Sequence, residues 1–455
     1  MSTAAKERKR QLVLGVFLTR HGHHPASWRQ PGSPGGGDPD FDYWLKLTRI
    51  AERGKLDSVF FADFVGMGAD DVRGVGNRPM GGVFEPLSLI SALAATTRDI
   101  GLIATVNTNF SHPYSLARQM ASIDHLSGGR VGWNVVSSLS PGSIRTFGVV
   151  DPLDHAGRYA RADEFIDLAK KLWDSWDDGA FDHPDKASGR FLDPASVHPV
   201  HHHGPHFDVD AVLDVPRPIQ GYPVFVQAGN SATGRDFAAR HAEMIYTAAQ
   251  FVEDAHEFYD DVKGRLAAHG RDRDQLKVTP GLSFAIGRTE EEAREKFESL
   301  QALVDFSGPT ELMGEDVSHL PLDKPLPADY PVPENGKGRW EQVVRLGERE
   351  GLTLRQLVLR YNVVRGHRIA IGTASQVADQ IEDWFVRGAV DGFNLIPPLN
   401  PGFLEDFVDL VVPELQRRGL FRTEYEGRTL RENLGLRRPA NQNAAAAAAA
   451  IPVPA

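Results

Sequence analysis

An alternation along the chain most constrains its fold. Eight short β-rich apolar runs recur, at Gln11–Leu18, Ser58–Phe61, Ile100–Thr105, Val131–Ser137, Pro223–Gln227, Met244–Thr247, Lys277–Ile286 and Gly392–Ile396, separated by segments of helical period. The runs are continuously apolar, so each strand must be covered on both faces, as in a parallel sheet flanked by helices. Between them, Tyr43–Arg53 sets Leu47, Ile50 and Ala51 on one face and meets Gly54 as a C-cap. Tyr114–Leu126 aligns Leu116, Met120 and Ile123, with Ser111 as N-cap and Pro113 in the first turn. Further helical patterns cover Arg161–Leu172, Ala378–Arg387 and Leu404–Arg417. Eight such alternations predict a (β/α)8 TIM barrel, a single domain over residues 11–440. An open doubly wound sheet is the competing architecture.

Two stretches exceed a minimal barrel, at about 141–220 and about 305–368. The first reads as loop after its helix; the second is Pro-rich in DKPLPADYPVPENG. Insertions at the C-terminal mouth of a barrel build or cover the site. Residues 1–10 and 441–455 read as flexible tails. The apolar run after MSTAAKERKR is short and leads into Thr19, Arg20 and histidines, unlike a secretion signal. No run approaches the roughly 18 apolar residues of a membrane span, so a cytoplasmic location is expected.

With no cysteine, thiolate chemistry, disulfides and Cys-based metal sites are excluded. The net charge of −11 lacks the footprint of a nucleic-acid binder. On a barrel, functional side chains should follow strand ends. The first strand leads into His21, His23 and His24 with no acidic partner nearby, a polar pocket wall more than a metal site. Asp63 follows the second strand, where a carboxylate needs a ligand, a partner or a capping role. Thr105, Asn107 and Thr108 end the third strand. Trp133 and Asn134 lie inside the fourth and suit either a flat ligand or core packing. His155 and Tyr159 share one helical face. Gln227-Ala-Gly-Asn-Ser231-Ala-Thr-Gly-Arg235 opens a helix with free backbone amides, an anion site without Walker or Rossmann spacing. The run His198–His206 reads as a mobile, partly titrating loop, and no metal is expected. Leu126-Ser-Gly-Gly-Arg130 is a structural turn.

Taken in order, GHH…WR, ERGKLDSVFFAD, EPLSLISALAATT, HPYSLARQMASIDHLSGGRVGWNVVSS, HAGRYARADEF, VFVQAGNSATGR and DGFNLIPP are similar to the bacterial-luciferase-like superfamily of flavin-dependent monooxygenases. The chain resembles most the branch of nitrilotriacetate monooxygenase component A and dibenzothiophene-sulfone monooxygenase. That resemblance implies reduced FMN and O2 as co-reactants, a C4a-(hydro)peroxyflavin, and a separate NAD(P)H-dependent flavin reductase. It also implies a small organic substrate and a homodimer or homotetramer. It assigns Asp63, Thr108 (or Thr105), His155, Tyr159 and Ser231 to the flavin. Placement near the strand ends adds His24, Asn134 and His112 as groups for the reacting oxygen. The chain departs from the family at Asn107-Thr108-Asn109-Phe110, where Ser-Thr-Thr-Tyr is frequent, and in lesser ways at Ser137 and Leu56. A deazaflavin-dependent oxidoreductase and a flavin-binding protein without turnover are the competing functions.

Overall fold

The computed structural model describes residues 10–34, 40–63, 65, 84–307, 310–313, 315–332, 337–362, 364 and 366–443. Eight parallel strands close a barrel: β1 (Val13–Phe17), β2 (Ser58–Phe61), β3 (Gly101–Asn107), β4 (Val131–Val136), β5 (Val224–Gln227), β6 (Met244–Thr247), β7 (Lys277–Gly287) and β8 (Gly392–Leu395). Each neighbour in sequence pairs in space, and β8 returns to β1 through Val13 opposite Gly392. All eight apolar runs are these strands, and closure decides against the open sheet. A ninth strand, Arg368–Thr373, lies beside the C-terminal half of the long β7, outside the closed ring. Its partly exposed face breaks the continuous apolar pattern, which hid it in the sequence.

Helices α1 (Phe41–Arg53), α2 (Pro86–Thr96), α3 (Pro113–Ser127), α4 (His155–Trp173), α5 (Ala232–His241), α6 (Val252–Arg265) and α7 (Glu290–Gln301) wrap the barrel, followed by α8 (Ala374–Val386). Gly54 is the C-cap of α1, where a Cβ would stand 2.8 Å from Val408, and the left-handed turn after it falls on Lys55. The N-cap of α3 is His112 and not Ser111. The residue before a proline is driven into extended backbone, so with Pro113 first in the helix the cap falls on His112, whose Nδ1 accepts from the Tyr114 amide at 3.3 Å. The turn 128–129 is structural as expected: both glycines have positive φ, and the buried Arg130 behind them ties Ser127, Thr97, Ile100 and Ala94 together.

The stretch expected as one helix over Leu404–Arg417 is interrupted. Residues Phe407–Val411 form a π-helical turn between the helices Gly402–Asp406 and Val412–Arg417. Pro413 lacks the N–H that would continue the α ladder. The first insertion is not all loop. Its histidines form an antiparallel hairpin, Val200–His203 with Asp208–Ala211, in which His201 and His203 bond Asp210 and Asp208. The second insertion builds its own core from Leu312, Val317, Trp340, Val343, Leu346 and Leu357.

Inside the barrel, Val13, Phe60, Ile103, Val224, Val226 and Met244 pack against Leu430, Leu434 and Leu436, which plug the N-terminal end. Of the expected tails, 1–9 and 444–455 lie outside the described residues. Arg10 and Asn441–Asn443 are docked, the latter on Asp174 and Trp176. No described helix is long and apolar enough to cross a membrane.

Candidate active site

Side chains alternate along a strand, so the residues facing the barrel axis can be read by twos. This places Thr105, Asn134, Tyr246 and Asn394 in the interior, with Ser58 one step below Phe60, level with Gly15 and Gly101. Asn134 Nδ2 donates to Thr105 Oγ1 at 2.9 Å. Asn134 Oδ1 and Asn394 Oδ1 are buried without a protein hydrogen-bond partner, while Ser58 Oγ and Tyr246 OH interact with each other. A Cβ at Gly15 would stand 3.0 Å from Ser58 Oγ and 3.5 Å from Asn394 Oδ1, so the glycine keeps space between them. Phe17, Phe60 and Tyr246 form an aromatic row with 4.8 Å between successive centroids. His23 closes on Phe17 at 4.4 Å, its Nε2 bonded to the Phe17 carbonyl. A buried acceptor without a partner is costly, so this layer is poised for a polar ligand with apolar walls.

The second element of the site stands at the end of β5. Ser231 caps α5, accepting the Gly234 amide at 3.0 Å. The Tyr159 hydroxyl from α4 reaches the Ser231 and Gln227 side chains, and burial raises its pKa, so the phenol stays protonated and can donate. Neither Gly229 nor Gly234 could carry a side chain here: a Cβ on either would lie 3.0 Å from that hydroxyl. Asn230 is fixed from below by the Thr247 hydroxyl at 3.0 Å. His155 lies one turn before Tyr159, ring centroids 5.1 Å apart, and is exposed. The structure therefore gathers His155, Tyr159 and Ser231 around a helix N-terminus, where backbone amides and the helix dipole favour an anion.

The remaining sequence candidates are distributed differently. Of the two threonines, Thr105 faces the interior, whereas the Thr108 hydroxyl is fully buried and directed to the Val136 carbonyl at 3.3 Å. The Thr108 carbonyl accepts from Arg161, whose guanidinium lies 4.7 Å over Phe207 at the end of the histidine hairpin. That hairpin is held on α4 by Glu164, which bonds His202 and the amides of His206 and Phe207. Asp63 is half-buried after β2; burial, then the Glu85 carboxylate, push its pKa up to about 6.

His24 and Asn134 are not brought together. The His24 ring is 1% exposed and packs edge-on to Phe297 of α7. Its Nδ1 accepts from the Ala26 amide at 3.1 Å, and burial lowers its pKa to about 4, so the ring is neutral. His112 is an exposed cap beside Phe207. Among the described residues no three His, Cys, Asp or Glu side chains cluster as metal ligands. Sequence reasoning missed Ser58, Tyr246, Asn394 and the Phe17–Phe60 row. The available signal was period-two counting within the apolar runs, which sets each polar residue on the inner face.

Residues 20–392 match the family model described as luciferase-like monooxygenase. The chain belongs to this family. It is an enzyme of the flavin-dependent monooxygenase class. It is 45% identical over 444 residues to nitrilotriacetate monooxygenase component A of Aminobacter aminovorans, covering 95% of this chain and 98% of that protein. It is 39% identical to dibenzothiophene-sulfone monooxygenase of Rhodococcus erythropolis, covering 95% and 98%. Both lie in the branch that the motifs resemble. Among solved structures it is similar to EDTA monooxygenase from Chelativorans sp. BNC1, with TM-score 0.80, 35% identity, and coverage of 94% and 99%. These relatives span the whole barrel, both insertions and the C-terminal plug.

Proposed function

We propose that this chain is the oxygenase of a two-component system, using reduced FMN and O2 to oxidise a small organic substrate. A separate NAD(P)H-dependent flavin reductase supplies the reduced FMN. The observation that carries this reading is the cradle of Tyr159, Gln227 and Ser231 at the head of α5. It is shaped for an anion and has glycines where a side chain would fill it. It suits the phosphate of FMN, with His155 as a further donor at the rim. In the barrel, Thr105 and the unsatisfied Asn134 Oδ1 offer hydrogen bonds to a polar heterocycle, and Asp63 is an acceptor at the mouth. The row Phe17–Phe60–Tyr246 keeps water from the reacting centre. When bound, reduced FMN supplies the electrons that activate O2.

The name of the first relative, a component A, supports a separate partner. Relatives named for nitrilotriacetate, dibenzothiophene sulfone, long-chain alkane and dimethyl sulfide support an organic substrate, polar or apolar. The test is rapid mixing of the protein and photoreduced FMN with oxygenated buffer, followed by absorbance. Flavin reoxidation through a transient absent from free flavin, slowed at least about tenfold, is expected. Reoxidation as in buffer would overturn the reading, and binding of a deazaflavin would then redirect it.

A further inference from the structure

At the opposite end of the barrel from the cradle lies a second polar cavity of about 380 Å³. Its wall includes Lys170 of α4, Phe225, Arg240 and His241 of α5, Arg271 and Arg437. Lys170 is the unusual member. Its ammonium donates to His241 Nδ1 at 3.2 Å and lies 5.3 Å from the centroid of the Phe225 ring. His241 Nε2 donates to Asp163 at 2.5 Å, which leaves Nδ1 as the acceptor and the imidazole uncharged. The carboxylates around it are engaged elsewhere. Asp163 and Asp167 hold Arg240. Glu243, the carboxylate on the cavity wall, is gripped by Arg431. Among the described residues no carboxylate forms an ion pair with Lys170.

Arg271 is positioned by carbonyls alone, at 2.9 Å to Ala239, 2.7 Å to Ala242 and 2.9 Å to Gln275. Carbonyls orient a guanidinium but leave its charge in place. Arg437 is exposed at the rim, and Arg438 beside it is paired with Asp178 at 2.6 Å. The wall thus gathers Lys170, Arg271 and Arg437 without an ion pair of their own; the nearest carboxylates, Asp167 and Glu243, are shared with Arg240 and Arg431, which they bond directly. A sheltered cluster in which cations outnumber the carboxylates they share is costly, and an added anion relieves it.

We propose that this cavity binds a small phosphorylated anion, whose phosphoryl oxygens are taken by Lys170 and Arg271 with Arg437 closing the rim. Pyrophosphate is the probe, titrated calorimetrically into the full-length protein freed of phosphate. Wild-type protein is expected to bind it with a Kd of roughly 10 μM to 1 mM. Lys170→Met keeps the stem and removes the charge, and should weaken binding by about tenfold or more. Arg437→Gln alters an exposed residue and should weaken it about threefold while unfolding at the wild-type temperature. It therefore decides the matter even if Lys170→Met fails to fold. The mouth cradle, itself an anion site, should add a separate binding event that Ser231→Ala weakens, while the event that Lys170→Met weakens stays. Absence of pyrophosphate binding, a titration of Arg437→Gln identical to wild type, or loss of all binding in Ser231→Ala would each overturn the proposal. The last would place the anion in the mouth cradle.

Discussion

Asp63 and His24 show how the same force, burial, gives opposite consequences for two side chains near the mouth. Burial and the Glu85 carboxylate raise Asp63 to about 6. An acid with a higher pKa folded than unfolded is destabilising once ionised. That cost is absent below about pH 4, grows through pH 6 and is complete above it, at roughly 1 kcal/mol after solvent screening. Asp63→Asn should therefore raise the melting temperature by about 1 °C at pH 7.5 and leave it unchanged at pH 4. On the proposed function the same change weakens FMN binding by about tenfold or more. Calorimetry at both pH values and flavin fluorescence check the two halves separately; a lower melting temperature at pH 7.5 would mean that the carboxylate has a stabilising partner. His24 is lowered to about 4 by burial. Its contribution is full above pH 6.5 and is lost as pH falls toward 4, about 2–3 kcal/mol in all. His24→Asn, which keeps an acceptor for the Ala26 amide, should flatten the fall of the urea midpoint between pH 6.5 and 4.5. An unchanged acid limb would show that His24 is solvated. Sequence could mark both residues by their place after a strand. It could not show that the His24 ring turns toward α7 and away from Asn134, because a loop side chain has no periodicity to fix its direction.

At the scale of elements, legibility followed the apolar pattern. The barrel strands were readable because strands covered on both faces admit few polar residues. The hairpin Val200–His203 was unreadable because its first strand carries a single apolar side chain, the buried Val200, before histidines that pair with acids across the ladder. The cradle was readable because a glycine-rich turn leading into a helix has a local chemical meaning. The inner polar layer was not, because Ser58 and Asn394 acquire meaning only when strands distant in sequence meet. The second insertion shows little in its sequence beyond its prolines, yet Trp340 is 1% exposed at the centre of its core. That core is separate from the barrel's, so the insertion should open as a unit. Trp340→Ala should cost about 3–5 kcal/mol locally. Hydrogen exchange should then accelerate over residues 310–332 and 337–362 while β1 to β6 keep their protection. Acceleration throughout the barrel would show that the two cores fold as one.

For the whole molecule, the two ends of the barrel have separate tasks. The C-terminal mouth carries the cradle, while the N-terminal end is closed by a chain segment that follows all eight strands. Leu430 is the centre of that plug, in contact with the position where Gly101 and Gly132 lack side chains: a Cβ on Gly101 would lie 2.5 Å from it, and one on Gly132 3.5 Å. Around it, Arg431 reaches Glu243 and the Tyr222 carbonyl, and Arg422 pairs with the buried Asp57, which also accepts the Leu14 amide at 2.7 Å. These contacts join the end of the chain to β1, β5 and β6, so the plug holds the ring closed. Leu430→Ala leaves a cavity among rigid glycine-backed strands that cannot collapse into it, and should cost about 3–5 kcal/mol of global stability. Because the plug lies a full strand length from the mouth, the FMN affinity of the folded fraction should change by less than about twofold. Denaturant unfolding and flavin titration on the same variant separate these effects. Loss of affinity in step with stability would show that the mouth depends on the packing of the plug, and that the two ends are one cooperative site.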